Sequence, residues 1–306
     1  MSALVFALLA LCLVGPVPVL LARASWPLRA PRAALVLWQS IAVAAVLSAI
    51  SAGLALASGL IVAGPDGPAR PLWSVQLIVL MLTVVIGVRL VVAVMSVSVA
   101  TRRRRARHRT LVDLLGVCHG DNAGRSGAGG GALRVLDVEQ PLAYCLPGVR
   151  SRVVVSEGAL ATLGDREVTA ILAHERAHLR ARHDLVIEAF TAVHAAFPRF
   201  VRSASALGAV RLLIELLADD AAVRTTGPAP LARALVACAA GRTPSGALAV
   251  GGPTTVLRVR RLAGRPNSAM LATAGYLGAA AVLVLPTVAV ALPWLAELRQ
   301  LILMSW

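Results

Sequence analysis

Residues 171–184 read ILAHERAHLRARHD and contain the pattern His174-Glu175-Arg176-Ala177-His178. On a helix, positions i and i+4 share one face, so His174 and His178 present two imidazoles to a single ion. Glu175 is one step round the helix. It can reach a water on that ion without ligating it, which is the place of a general base. With 6 His in 306 residues, this pattern is expected by accident about 0.003 times. Val168, Ile171, Leu172 and Leu179 give the helix a buried side, and Asp165 is its expected N-cap. The stretch therefore predicts a zinc site on a helix packed inside a folded domain.

Catalytic zinc usually takes three protein ligands and keeps one position open, so a third ligand is needed. Asp184 lies six residues after His178, where a metzincin places its third ligand. That tight turn requires Gly at position 181, and the chain has Ala181. Glu215, in Glu215-Leu216-Leu217-Ala218-Asp219, is the other candidate. There Asp219, one helical turn on, would orient a ligating His through its other ring nitrogen. This choice explains two acids with one geometry and is favoured. Glu215 also lies among Leu212, Leu213, Leu216 and Leu217, where a buried acid needs a partner. His183 reads as the end of its helix, where a cation is favoured. His194 reads as a packed or interfacial residue, and Arg224 as a surface residue or an oxyanion stabiliser.

Upstream, Leu133–Val138 and Arg152–Val155 are short apolar runs with strand character, separated by the turn-prone Leu146-Pro147-Gly148. Asp121 to Gly131 is a Gly-rich loop. Mixed strands and helices predict an α+β domain, and the HExxH…ExxAD pair that it carries makes it zincin-type. Arg152–Val155 is a candidate sheet edge along which an extended substrate would pair.

Over the whole chain 58% of the residues are hydrophobic, and the apolar excess is concentrated in long runs outside this domain. Four runs suffice to cross a hydrocarbon core of ~30 Å: 3–22, 33–62, 72–100 and 268–292. All basic residues are Arg, and the net charge is +15. Arg23, Arg29 and Arg32 follow the first run. Arg102 to Arg105, Arg107 and Arg109 follow the third. Arg258, Arg260, Arg261 and Arg265 precede the fourth. All three clusters fall on one side if the N-terminus is outside. The expected fold is a mainly α multi-pass membrane protein with four transmembrane helices. Residues 101–267 form the cytoplasmic peptidase domain, and 293–306 form a short extracytoplasmic interfacial tail. The Arg clusters lack aromatic interleaving or a recognisable module, which argues against direct nucleic-acid binding. No basic residue precedes the first run, so a cleaved signal peptide is not expected. Arg89, inside the third run, is either an intramembrane functional group or marks where the helix leaves the bilayer. Cys12, Cys118, Cys145 and Cys238 form no CxxC pair and read as reduced thiols.

Residues Pro141 to Ala222 resemble the BlaR/MecR-type family of membrane zinc peptidases, the beta-lactam sensor–transducers. More distantly they are similar to the heat-shock membrane protease and prenyl-protein protease group. The matching segments are AYCLPGVRSRVVVSEGAL, ILAHERAHLRARHD and ELLADDAAV. Leu142, where the distant group has Asn, favours the sensor–transducer branch. That resemblance implies three spans, a cytoplasmic zinc peptidase and a fourth span. It implies His174, His178 and Glu215 as zinc ligands, Glu175 as catalytic base, and Asp219 behind a ligand. Antibiotic sensors carry a penicillin-binding domain after the fourth span, and the sequence stops about there, so direct antibiotic sensing is not expected.

The expected activity is that of a membrane zinc metalloendopeptidase. By the resemblance, its protein substrate would be a winged-helix transcriptional repressor, cleaved in signal transduction. Quality control of membrane proteins, or a non-catalytic zinc-containing signalling scaffold, are the alternatives. An open coordination position speaks against the scaffold, because structural zinc sites are usually closed by four protein ligands.

Overall fold

The computed structural model describes residues 2–63, 70–115, 132–149, 151–197, 204–239, 248–249, 254–264, 267–292, 294–296 and 299. The Gly-rich loop expected over Asp121 to Gly131, and most of the tail after Leu292, lie outside the described residues. The structure is mostly helical and divides into two compact units. One comprises Met1–Val94, Ala192–Ala209 and Ser268–Trp306; the other comprises Met95–Thr191 and Val210–Asn267.

The first unit contains the apolar helices. Helices α1 (Ser2–Val14) and α2 (Pro16–Arg23) are separated at Gly15, where Pro16 begins a new helix. Helix α3 (Pro31–Ala63) follows, then α4 (Arg70–Leu115), an unbroken helix of 46 residues. Helix α11 (Ala269–Pro286) ends in a π-helical turn over Thr287–Ala291, so Pro286 loosens the helix rather than ending it. Among the described residues four helical stretches are long and apolar enough to cross a membrane: Ala3–Arg23, Pro31–Ala57, Ser74–Leu115 and Ala269–Pro286. Helices α3 and α4 approach closely at Gly53, where a Cβ would overlap the Thr83 side chain. Helix α4 continues past Arg89, whose Nε donates to the Ala196 carbonyl at 3.2 Å. A backbone carbonyl thus stands where an acidic partner would be sought.

The second unit is built on a four-stranded sheet ordered β1-β3-β2-β4. Its strands are β1 (Ala132–Leu136), β2 (Ala143–Leu146), β3 (Arg152–Ser156) and β4 (Leu248–Ala249). β3 pairs in parallel with β1, as in Ala132↔Arg152, and antiparallel with β2, as in Cys145↔Val153. Arg152–Val155 is therefore interior to the sheet and not an edge: both rows of its backbone groups are spent on neighbouring strands. β2 and β3 are buried along nearly their whole length, and strands covered on both faces need no polar alternation. Ala143 and Val155 face one cluster with Ile171 and Leu235. Tyr144 and Val154 face the other way, onto Val112 of α4.

Ser156 caps α5 (Glu157–Thr162) by accepting from the Ala159 N–H. Helix α6 (Asp165–Arg180) starts one residue earlier than expected, with Gly164 at the N-cap. The Glu167 carboxylate accepts the Gly164 N–H at 3.1 Å, the reciprocal half of a capping box, and Asp165 is the first residue of the helix rather than its cap. Helices α7 (His183–Ala196), α8 (Ala204–Thr226), α9 (Pro228–Cys238) and α10 (Thr255–Leu262) complete the chain between α6 and α11.

Candidate metal centre

Helix α6 brings His174, Glu175 and His178 into the core of the second unit, each at most 1% exposed. Helix α8 lays Glu215 across from them. One ligand atom from each of His174, His178 and Glu215 lies within 4.8 Å of the others. The His174 and His178 Nε2 atoms are 3.1 Å apart. Glu215 Oε2 is 3.4 Å from His174 Nε2, and Glu215 Oε1 is 3.7 Å from His178 Nε2. Ligands held tetrahedrally about 2.0–2.1 Å from a zinc ion are roughly 3.3 Å apart, so these three atoms already have the spacing one ion requires. The Glu215 side chain retains 16% exposure, against 0% for the His174 side chain.

Asp219, one turn further along α8, has Oδ1 3.0 Å from His174 Nδ1. Asp184, the rival third ligand, is instead engaged by Arg105, whose Nη1 donates to Oδ2 at 2.9 Å. Among the described residues it is no part of the convergent group. Arg224 is exposed and His194 half-buried.

Three residues here were not foreseen. Arg258, expected to belong to a membrane-anchoring cluster, is 1% exposed. Its guanidinium donates from Nε and Nη2 to the two Asp219 oxygens at 2.8 and 2.6 Å, and Nη1 lies 3.0 Å from Glu215 Oε2. The need for such a cation was visible in the sequence, because two acids beside a leucine-rich stretch must be compensated. Nothing in the spacing singled out Arg258. His183 does not end a helix; it begins α7. Arg182, at φ 50°, takes the left-handed conformation that a non-glycine residue adopts at a cost of about 1–2 kcal/mol. That turn swings His183 back, so that its Nδ1 sits 3.0 Å from His178 Nδ1. Cys145, fully buried on β2, lies beside Glu175.

The electrostatics follow from burial and pairing. Burial pushes the Glu175 carboxyl up to about 7, and neither of its oxygens has a nitrogen or oxygen hydrogen-bond partner among the described residues. Burial draws His178 down to about 3 and His183 to about 4. Burial also pulls on His174, but the Asp219 and Glu215 carboxylates outweigh it and hold the imidazole at about 9. Burial would raise Glu215, and His174, His178 and Arg258 together keep it below the ordinary carboxylate range. The site therefore pairs one carboxyl poised near neutrality with a second held as an anion.

The family model of peptidase family M48 matches residues 103–266, more than half of the 306-residue chain. No curated protein and no solved structure matches the chain.

Proposed function

The chain belongs to peptidase family M48, a family of metallopeptidases that are typically zinc-dependent, and on that footing we propose that it is a zinc-dependent membrane endopeptidase. His174, His178 and Glu215 hold the zinc, Glu175 is the catalytic base, and Asp219 orients His174. The observation that carries this reading is the convergence of two Nε2 atoms and one carboxylate at 3.1, 3.4 and 3.7 Å. Three protein ligands leave a position open, as catalytic zinc requires.

When bound, zinc supplies a Lewis acid and lowers the pKa of its water toward ~7. The Glu175 carboxylate accepts a proton from the attacking water, then delivers it to the leaving amine of the cleaved peptide bond. Its burial shields that proton from bulk solvent. Asp219 holds the His174 Nδ1 proton and so keeps Nε2 available as a donor atom. Arg258 neutralises Asp219 and part of Glu215, allowing two carboxylates to stay ionised side by side.

The four apolar helices support insertion in a membrane, and the Arg clusters that flank them support a cytoplasmic site with the N-terminus outside. Regulatory cleavage of a winged-helix repressor is carried by the sensor–transducer resemblance. Zinc analysis of the purified protein with a casein-type cleavage assay, before and after chelation, tests the activity: one zinc per chain and chelator-sensitive cleavage are expected. Comparing repressor abundance in wild-type and Glu175→Gln cells tests the substrate. An unchanged repressor with accumulating damaged membrane proteins would assign the enzyme to quality control instead.

The zinc affinity should depend on pH with a definite sign. In the metal-free site the Asp219 and Glu215 carboxylates outweigh burial and hold the His174 imidazole up at about 9, and a ligating nitrogen must give its proton up. The apparent zinc dissociation constant is expected to fall up to about tenfold between pH 7 and pH 8, then level off above pH 9. A constant that does not change across this range would contradict the His174 assignment.

A further inference from the structure

His178 has a neighbour that the proposed chemistry leaves unused. His183 Nδ1 lies 3.0 Å from His178 Nδ1, with the ring centroids 5.0 Å apart and the planes at 81°. Two ring N–H groups cannot face one another at that distance, so one nitrogen carries the proton and the other offers its lone pair. The opposite nitrogen of His178, Nε2, is turned toward His174 and Glu215 at 3.1 and 3.7 Å. Resting on the zinc reading above, that Nε2 must be the unprotonated atom, and a neutral ring then keeps its proton on Nδ1.

From this geometry we infer that His183 is a positioning residue of the metal centre, whose Nδ1 accepts the Nδ1–H of His178 and fixes that ligand's tautomer and ring orientation. The Asp219 carboxylate lies at a matching distance from the other imidazole, 3.0 Å from His174 Nδ1. The two imidazole ligands are thus oriented by chemically different acceptors, a carboxylate for one and a neutral ring for the other.

The chain holds His183 for this purpose from both sides. Left-handed Arg182 separates α6 from α7, so the residue following it is directed back at the helix just ended. Asp184, next along, is fixed by Arg105 of α4 at 2.9 Å. One turn later, Glu188 accepts from the Ser98 hydroxyl of α4. His183 is 5% exposed, so solvent is poorly placed to replace it as the acceptor. The bonds to α4 pin the first turn of α7, and with it the ring that meets His178.

The test is zinc affinity of the full-length protein in detergent, measured by competition with a chromophoric chelator. His183→Leu removes the acceptor, and zinc binding should weaken 10–100-fold. In His183→Asn the amide oxygen falls near the position of the lost Nδ1, and affinity should return close to wild type. Thermal unfolding of both metal-free variants separates a folding defect from a ligand defect. His183→Leu binding zinc as tightly as wild type would overturn the inference. So would His183→Asn being weakened as much as His183→Leu. Wild-type protein that binds no zinc sinks the underlying metal reading, whereas zinc-binding wild type with an insensitive His183→Leu sinks this inference alone.

Discussion

Purified Glu175→Gln protein is expected to bind one zinc per chain and to cleave a casein-type substrate at least about 10²–10⁴-fold more slowly than wild type. Gln preserves the shape of the side chain and removes its capacity to accept a proton. Glu175 contributes no atom to the convergent group, so metal content should survive the change. Its burial holds the carboxyl near 7, close to the pH at which a base both stays available and drives proton transfer. Zinc content measured beside the cleavage rate reads both halves of the prediction. A wild-type rate removes Glu175 from the chemistry; loss of zinc makes it a structural part of the site.

The second large effect is on folding. Arg258→Ala leaves Asp219 and Glu215 as neighbouring carboxylates without the guanidinium that lies within 3.0 Å of both. Breaking a buried ion pair by deleting one partner costs about 3–5 kcal/mol. Thermal unfolding of the metal-free protein in detergent should therefore show a large fall in midpoint. Arg233→Ala is the contrast. Arg233 pairs with Glu167 at the surface with its side chain 62% exposed, and such pairs contribute roughly 0–1 kcal/mol. Equal midpoints for the two variants would mean that Arg258 is not a structural clamp.

The parts of this protein that local spacing controls are legible in its sequence. HExxH places two imidazoles on one helix face because the helical repeat demands it, and ExxAD places Glu215 and Asp219 one turn apart for the same reason. The apolar runs announced their helices by length alone. Three features depended on contacts that spacing does not encode. Arg258 is separated from Asp219 by 39 residues, and within RVRRL it looks like any other member of a basic cluster. His183 changed role because Arg182 adopts a left-handed turn, for which the sequence shows neither Gly nor Asn. β3 proved interior because the four-residue β2, Ala143–Leu146, pairs along one of its sides. So short a strand has no periodicity from which to be recognised.

Zinc K-edge X-ray absorption on the purified, metal-loaded protein and on Glu215→Ala examines the ligand set itself. The wild type should show two imidazole nitrogens and carboxylate or water oxygen at about 2.0–2.2 Å, with no sulfur shell. Glu215→Ala should lose bound zinc or exchange its carboxylate for solvent. A spectrum without imidazole scattering, or one that Glu215→Ala leaves unchanged, would contradict the assignment of His174, His178 and Glu215 as one metal centre.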